Sequence, residues 1–250
     1  MSYIGTPSMS PLSGAENNLC LDCPKQSVCG FSSFLSQSPP GESSRFITMR
    51  RYRAGQYVTK EGEPARALQL VCRGTMTVTA IDESGTEAGL HLVGTGEFLN
   101  ATDLFLEHKT YSRSAACLGD VTVTAVAGEA LRGWMQSSPS LAVSLLRQVA
   151  SQMRLLEERH RQLQCRDTSA RTIQALLQMV DGCASRGTKN VVLPFRLKRS
   201  VLARLVGASR ETVSRVLSNL LARGLVSQPD HRLMIPDPAR LEEAARGSSD

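Results

Sequence analysis

Hydrophobic and polar positions alternate in short segments over residues 46 to 135, and glycines separate these segments from one another. Met76–Ala80 and Val121–Val126 show the alternation most clearly, and the stretches 68–71 and 90–93 resemble them. A period of two is typical of strands that bury one face. Several such strands at this spacing predict a β-barrel or jelly roll.

The pattern changes to a helical period from about residue 139 to 164. Positions on one side of that helix recur at alternating intervals of three and four: Leu146, Val149, Met153, Leu156, His160 and Leu163. This heptad stripe predicts a long helix with a narrow apolar seam. The seam either packs on the chain's own barrel or joins two copies. We expect a homodimer interface, because arginine and glutamate flank the seam and a second helical module follows it.

That second module begins with a helix predicted over about 169–184, followed by a helix, a glycine turn and another helix over 205–220. Gly207 supplies the tight turn, and Ser209 is placed to cap the helix that follows. Residues 224–235 predict a small hairpin that turns near Pro229 and Asp230. A helix-turn-helix followed by a hairpin is the layout of a winged helix-turn-helix domain.

The second helix of the pair has one apolar face and one face suited to nucleic acid. An arginine can donate two hydrogen bonds to guanine O6 and N7, and a glutamate can accept one from cytosine N4. We therefore predict that the chain binds double-stranded DNA through Arg210, Glu211, Ser214, Arg215 and Ser218. Lys198 and Arg199 are expected to contact the phosphate backbone. Between Arg196 and Arg223 seven basic residues stand against one acid, a balance that suits a polyanion.

These patterns divide the 250 residues into five parts. We predict an α+β protein with a cysteine-containing segment at 1–45, a β-barrel sensor domain at 46–137, a dimerisation helix at 138–166, a winged helix-turn-helix at 167–240 and a flexible tail at 241–250. The sequence has no apolar run long enough to cross a bilayer and no secretory signal pattern, so we expect a cytoplasmic protein without a membrane partner. It also lacks the phosphate-binding loop, zinc-protease and nucleophile-elbow motifs, and we do not expect an enzyme.

The amino-terminal segment contains three closely spaced cysteines, Cys20, Cys23 and Cys29. A Cys-x2-Cys turn lets two thiolates reach one metal, and a third thiolate further along can complete one face of a site. In a reducing cytosol such cysteines are thiols or metal ligands rather than disulfides. The spacing fits an iron–sulfur cluster, a zinc ion, or a thiol that responds to oxidation.

The order of barrel, long helix and winged helix-turn-helix over about residues 45 to 240 resembles the CRP/FNR superfamily of bacterial transcription regulators. The most specific match is the run Arg210-Glu-Thr-Val-Ser-Arg215. It combines the glutamate, serine and arginine of the FNR-type recognition helix with the preceding arginine of the CRP type. The resemblance implies a cyclic-nucleotide-binding-like jelly roll, a homodimer on a TTGA…TCAA-like palindrome, and contact with RNA polymerase.

The cysteine spacing is similar to the amino-terminal ligand set of FNR. That resemblance implies an oxygen-responsive [4Fe-4S] cluster held by Cys20, Cys23, Cys29 and a fourth ligand. In FNR the fourth cysteine comes from a barrel strand, at a position that aligns with Thr124. Cys117 is the nearest cysteine in the sequence and is our predicted fourth ligand.

The resemblance also bears on the barrel, where CRP proteins hold cyclic AMP. Asn100 and Ala101 stand where the family has a glycine and the glutamate that receives the ribose, whereas Arg113 and Ser114 match the pair that receives the phosphate. Because a ribose hydroxyl would lose its charged acceptor, we do not expect cyclic-nucleotide control, and we interpret Arg113 as a surface or structural residue. The alternatives to a cluster are another small molecule in the barrel, oxidation of cysteine thiols, or haem bound by His91 or His108.

Overall fold

The computed structural model describes residues 46–246, except 82, 84–86, 107, 109, 166 and 184–187. Its amino-terminal part contains two four-stranded antiparallel sheets with the strand orders β1-β8-β3-β6 and β2-β7-β4-β5. The strands are β1 (Ile47–Tyr52), β2 (Tyr57–Thr59), β3 (Ala67–Arg73), β4 (Met76–Ile81), β5 (Glu87–Val93), β6 (Phe98–Leu99), β7 (Ser114–Cys117) and β8 (Val121–Ala127). The two sheets face each other as a jelly roll and do not close into one continuous barrel.

β8 lies in the middle of its sheet, and both of its faces are buried. Val121 and Val123 belong to the core between the two sheets, whereas Val126 belongs to a second core on the outer face of the same sheet. β-Branched side chains suit such a strand, which is buried on both faces. β8 pairs with β1 on one side and with β3 on the other, and Thr124 lies opposite Met49 and Leu70.

Helices cover the outer face of this sheet. A short helix α1 (Ala101–Phe105) follows β6, and α2 (Gly128–Ser137) and α3 (Pro139–Cys165) follow β8. Leu131, Leu141 and Leu145 from α2 and α3 pack with strand residues such as Leu68 and Leu70. α3 has 27 residues and is about 40 Å long, so it extends well beyond the sheet that it covers.

The carboxy-terminal part has its own hydrophobic core. It contains α4 (Thr168–Cys183), β9 (Val191–Val192), α5 (Arg199–Val206), α6 (Arg210–Ala222), a 3₁₀ turn (Pro229–His231), β10 (Met234–Ile235) and α7 (Pro238–Arg246). The predicted hairpin turns at Pro229–His231, but its returning strand β10 pairs mainly with β9, and the hairpin itself has one bridge, between Ser227 and Met234. The wing is thus tied to a strand that lies before the helix-turn-helix, a pairing that the sequence pattern did not predict.

The jelly roll and the winged helix-turn-helix pack closely against each other. Leu92 of β5 lies in the core of the carboxy-terminal part. A Cβ atom added to Gly89 would lie 2.9 Å from the carbonyl carbon of Arg204 in α5, so glycine permits this approach of strand to helix. None of the helices that the structure describes is long and apolar enough to cross a membrane.

Candidate DNA-binding surface and effector cavity

The turn between α5 and α6 has the geometry that its sequence predicts. Gly207 ends α5 with a φ of 67°, in the left-handed region that favours glycine, and its N–H donates to the carbonyl of Ala203. Ser209 is the N-cap of α6, and its hydroxyl oxygen accepts a hydrogen bond from the N–H of Thr212 at 3.1 Å. A defined glycine stop and a serine cap fix the start of α6 relative to α5.

The two faces of α6 also separate as predicted. Val213, Leu217 and Leu220 are buried in the carboxy-terminal core. The side chains predicted to read bases lie on the outer side of the helix: Arg210, Glu211, Arg215 and Ser218 are exposed, and Ser214 is half-buried. An exposed polar face on the second helix of such a pair is the surface that enters a major groove.

Glu211 is kept ionised by its position in the first turn of α6. Its own backbone N–H and the Ser209 hydroxyl lower the pKa of the Glu211 carboxyl, and the nearby Arg210 and Arg215 lower it further. A carboxylate at this point can accept a hydrogen bond from a cytosine amino group. Lys198 and Arg199 are exposed at the start of α5, where they can reach a phosphate backbone.

The predicted dimer seam on α3 is largely uncovered in the single chain. Leu146 is 68% exposed and Met153 is 61% exposed, and Leu156 is also exposed. Val149 instead packs partly against the jelly roll. His160 is exposed, and the side chain of Leu163 lies outside the described residues. Val143 and Leu155, which the heptad reading omitted, add further exposed apolar surface to α3.

A cavity of about 240 Å³ lies between the jelly roll and α3. Most of its lining is apolar, and α3 contributes Val149, Met153, Leu155 and Leu156. Met153 and Leu156 belong to the exposed seam as well, so the same side chains border the cavity and the predicted dimer interface. A molecule in this cavity would touch the strand side and the helix side at once.

Two glutamines attach α3 to the segment that forms the opposite wall of the cavity. The side-chain amide of Gln148 donates to the carbonyl of Gly96, and that of Gln152 donates to the carbonyl of Phe98 at 2.8 Å. Residues four apart on a helix are about 6 Å apart along its axis, and residues two apart on a strand are separated by nearly the same distance. The two hydrogen bonds therefore hold helix and segment in one register. Sequence reasoning missed this pair, although two polar residues four apart beside an apolar seam were a usable signal.

The cavity corrects the interpretation of Arg113 as a surface or structural residue. Arg113 is half-buried and lines the cavity, together with Asn100 and Ala101. Asn100 adopts a φ of 61°, and its amide nitrogen donates to Thr59 Oγ1 and Gln69 Oε1, both at 3.2 Å. Ala101 carries no polar group. The described lining thus includes a cation and lacks a carboxylate at the position where the family has one.

Of the four cysteines predicted to bind the cluster, one lies among the described residues. Cys20, Cys23 and Cys29 lie outside the described residues. Cys117 is 3% exposed between the two sheets, on β7 rather than on the strand of Thr124, and burial raises the pKa of its thiol to about 12. Because Cys117 lies in the core between the two sheets, whereas Thr124 lies beside Cys72 on the outer face of its sheet, the structure argues against Cys117 as the fourth ligand.

Cys72 lies much closer to the expected position. Its Sγ atom is 3.1 Å from Oγ1 of Thr124, and the side chain is half-buried on the outer, helix-covered face of the sheet. This proximity arises because β3 and β8 are neighbouring strands. Within the described part of the chain, no three histidine, cysteine or carboxylate side chains are grouped as a metal site.

A jelly roll, a long helix that borders a cavity with it, and a winged helix-turn-helix together define a class of DNA-binding regulators. The family model of the cyclic nucleotide-binding domain matches residues 49–138, and that of the Crp-like helix-turn-helix domain matches residues 170–244. The chain belongs to the CRP/FNR family of DNA-binding transcription regulators.

Named relatives agree with this assignment. The chain is 27% identical over 192 residues to the CRP-like cAMP-activated global transcriptional regulator of Mycobacterium tuberculosis, and the match covers 77% of this chain and 85% of the relative. It is 28% identical over 202 residues to the cyclic AMP receptor protein of Thermus thermophilus, covering 81% and 90%. The solved structure of the c-di-GMP responsive global regulator CLP of Xanthomonas campestris matches with a TM-score of 0.62 and 26% identity, covering 77% of this chain and 95% of that one.

Proposed function

We propose that this regulator binds, as a homodimer, a two-fold symmetric DNA site whose half-sites are of the TTGA…TCAA kind. The observation that carries the proposal is the recognition helix α6, capped at Ser209 and presenting Arg210, Glu211 and Arg215 to solvent. The exposed apolar seam on α3 supports a second copy, because Leu146 and Met153 otherwise face water. A dimer places two recognition helices about one helical turn of DNA apart. RNA polymerase is the further partner that we propose for the bound dimer.

The base-reading role of Arg215 can be tested by substitution. We expect Arg215→Ala to weaken binding to the palindrome by about 1–3 kcal/mol and to relax discrimination at one position in each half-site. Arg199→Ala should instead weaken binding to all duplexes alike and reduce the salt dependence, because it loses a phosphate contact. Affinities for the palindrome and for its single-base variants, measured by fluorescence anisotropy, separate the two effects. An unchanged base preference in Arg215→Ala would remove the assignment.

We further propose that control enters through the cavity between the jelly roll and α3. The cyclic nucleotide-binding family model supports a small-molecule effector in this domain, and the relatives' names refer to cyclic nucleotides. Gln148 and Gln152 connect the cavity wall to α3, and α3 carries the dimer seam. A bound molecule that displaces the segment containing Gly96 and Phe98 therefore also displaces α3 and its apolar seam. To change the ratio of active to inactive protein from 1:99 to 99:1, the bound molecule must favour the active form by about 5.5 kcal/mol.

A second candidate for control is an oxygen- or redox-responsive [4Fe-4S] cluster on Cys20, Cys23 and Cys29. The observation that favours it is Cys72, whose Sγ lies beside Thr124, the position to which the resemblance assigns the fourth cysteine. We propose Cys72 in place of Cys117 as the fourth ligand. Oxidation of the same cysteine thiols without a metal is the remaining form of this candidate.

Anaerobic iron, sulfide and zinc assays with an absorbance spectrum, before and after air, test the cluster. We expect iron and sulfide in the unmodified protein, loss of both in Cys72→Ser, and retention in Cys117→Ser. Iron retained in Cys72→Ser and lost in Cys117→Ser would reverse the ligand assignment. Colourless, iron-free protein after anaerobic reconstitution would leave the cavity as the site of control.

A further inference from the structure

Asp103 is a fully buried carboxylate on the short helix α1, next to the cavity but not part of its lining. Its Oδ1 atom accepts a hydrogen bond from the hydroxyl of Ser112 at 2.7 Å. Its Oδ2 atom is also buried and has no hydrogen-bond partner among the described residues. Burial of a carboxylate with one unsatisfied oxygen costs stability, so stability alone does not explain an acid at this position.

The segment that follows α1 is folded around this carboxylate. The backbone N–H of His108 donates to the carbonyl of Asp103 at 2.9 Å, and Nδ1 of its imidazole lies 3.4 Å from Asp103 Oδ1. The His108 side chain is 49% exposed, so the imidazole lies at the surface beside the buried carboxylate. Asp103 therefore contacts the segment at two points, His108 and Ser112.

Ser112 connects the carboxylate to the cavity. Its Oγ atom accepts a hydrogen bond from Nε of Arg113 at 3.3 Å, and Arg113 lines the cavity. An ionised carboxylate accepts hydrogen bonds and donates none, so the single hydroxyl proton of Ser112 points at Asp103. The lone pairs of that hydroxyl then remain for the Arg113 Nε–H. The direction of the Ser112 hydroxyl, and with it the orientation of Arg113, is set by Asp103.

We propose that Asp103 is a positioning residue of the cavity, which acts through Ser112 to hold Arg113 in one orientation in the cavity wall. Residues 100–102, which also line the cavity, directly precede Asp103, so the same carboxylate joins two segments of the wall. The inference deepens the proposed control through the cavity and rests on it only for the effect on ligand affinity. The orientation of Arg113 can be measured without any ligand.

Solvent exchange of the Arg113 Nε–H, followed in NMR spectra of protein labelled with ¹⁵N-arginine, reports this orientation. Arg113→Lys identifies the signal by its disappearance. We expect Ser112→Ala to accelerate the exchange about two- to ten-fold, as loss of one hydrogen bond does, and Asp103→Ala to accelerate it as well. Asp103→Asn should exchange at nearly the rate of the unmodified protein, because the amide oxygen can still accept from Ser112.

The variant that combines Asp103→Ala with Ser112→Ala separates positioning from a merely structural role. Its exchange rate should equal that of Ser112→Ala, because Asp103 acts on Arg113 through Ser112 alone. Asp120→Ala removes an exposed carboxylate between β7 and β8 and should leave the Arg113 signal unchanged. Urea unfolding followed by circular dichroism verifies that each variant is folded. Unchanged exchange in Asp103→Ala, or a further acceleration when it is added to Ser112→Ala, would overturn the inference.

Cyclic AMP, titrated calorimetrically against the full chain, measures the effect on ligand affinity. Asp103→Ala and Ser112→Ala should each weaken its binding about two- to ten-fold, and Asp103→Asn should bind nearly as the unmodified protein does. Equal affinity in all of these variants would overturn the inference. The expected exchange rates in a protein that binds no cyclic AMP uphold the inference and count only against a cyclic nucleotide as the effector. Absence of specific binding to the palindromic duplex in the unmodified protein would refute the proposed function and not the inference.

Discussion

At Gly89 strand β5 lies close against the backbone of α5, and Gly89→Ala probes the contact between the two domains. The added Cβ would lie 2.9 Å from the carbonyl carbon of Arg204 and 3.0 Å from both its Cβ and its carbonyl oxygen. These are atoms of, or attached to, a helix backbone, which cannot rotate away as the end of a flexible side chain can. Forcing an extra carbon into such a contact costs about 1–3 kcal/mol.

Denaturant unfolding followed by circular dichroism measures this cost, and the chain offers a matched control. Gly133 lies within α2, and a Cβ added there would meet no atom within 4 Å. Gly133→Ala should therefore raise the free energy of unfolding by about 0.5–1 kcal/mol, because glycine loses more conformational entropy in a helix than alanine does. If Gly89→Ala unfolds within about 0.5 kcal/mol of the unmodified protein, the domain contact is wrong as described.

Three further predictions concern single sites. Ser209→Ala removes the cap of α6 and should cost about 0.5–2 kcal/mol of stability, measured by urea unfolding, and weaken DNA binding; an unchanged midpoint would count against the cap. Leu146→Lys places a charge in the exposed seam and should shift sedimentation from dimer to monomer, whereas a stable dimer would place the interface elsewhere. Because burial raises the pKa of Cys117 to about 12, its thiol stays protonated near pH 8, and iodoacetamide should label Cys117 only after denaturation. Labelling of Cys117 in the folded protein would contradict its buried position.

Local signals in the sequence predicted most of the fold. The alternation over 121–126 predicted a strand because a period of two is that of a strand, although both faces of β8 are buried rather than one. Gly207 and Ser209 predicted the turn of the helix-turn-helix because their backbone roles are local. The pairing of β10 with β9 was not predictable in the same way, since it joins segments more than forty residues apart, outside the reach of any turn signal.

The same distinction between local signals and contacts of distant segments applies to the candidate sites. The exposed face of α6 could be predicted because one helix supplies all of its residues. The cavity could not, because Asn100, Arg113 and Met153 come from separate segments that only the packing of α3 on the sheet brings together. The proximity of Cys72 to Thr124 likewise follows from the pairing of β3 with β8, and neighbouring strands cannot be identified from alternation alone.

Selection of binding sites from a pool of random duplexes with the purified protein shows whether a dimer reads a two-fold symmetric DNA site through α6. We expect enrichment of two inverted TTGA-like half-sites, with centres about one helical turn apart. Arg215→Ala should enrich the same spacing with one position in each half-site relaxed. Enrichment of a single asymmetric half-site, or of no motif, would refute a symmetric dimer that reads DNA through α6.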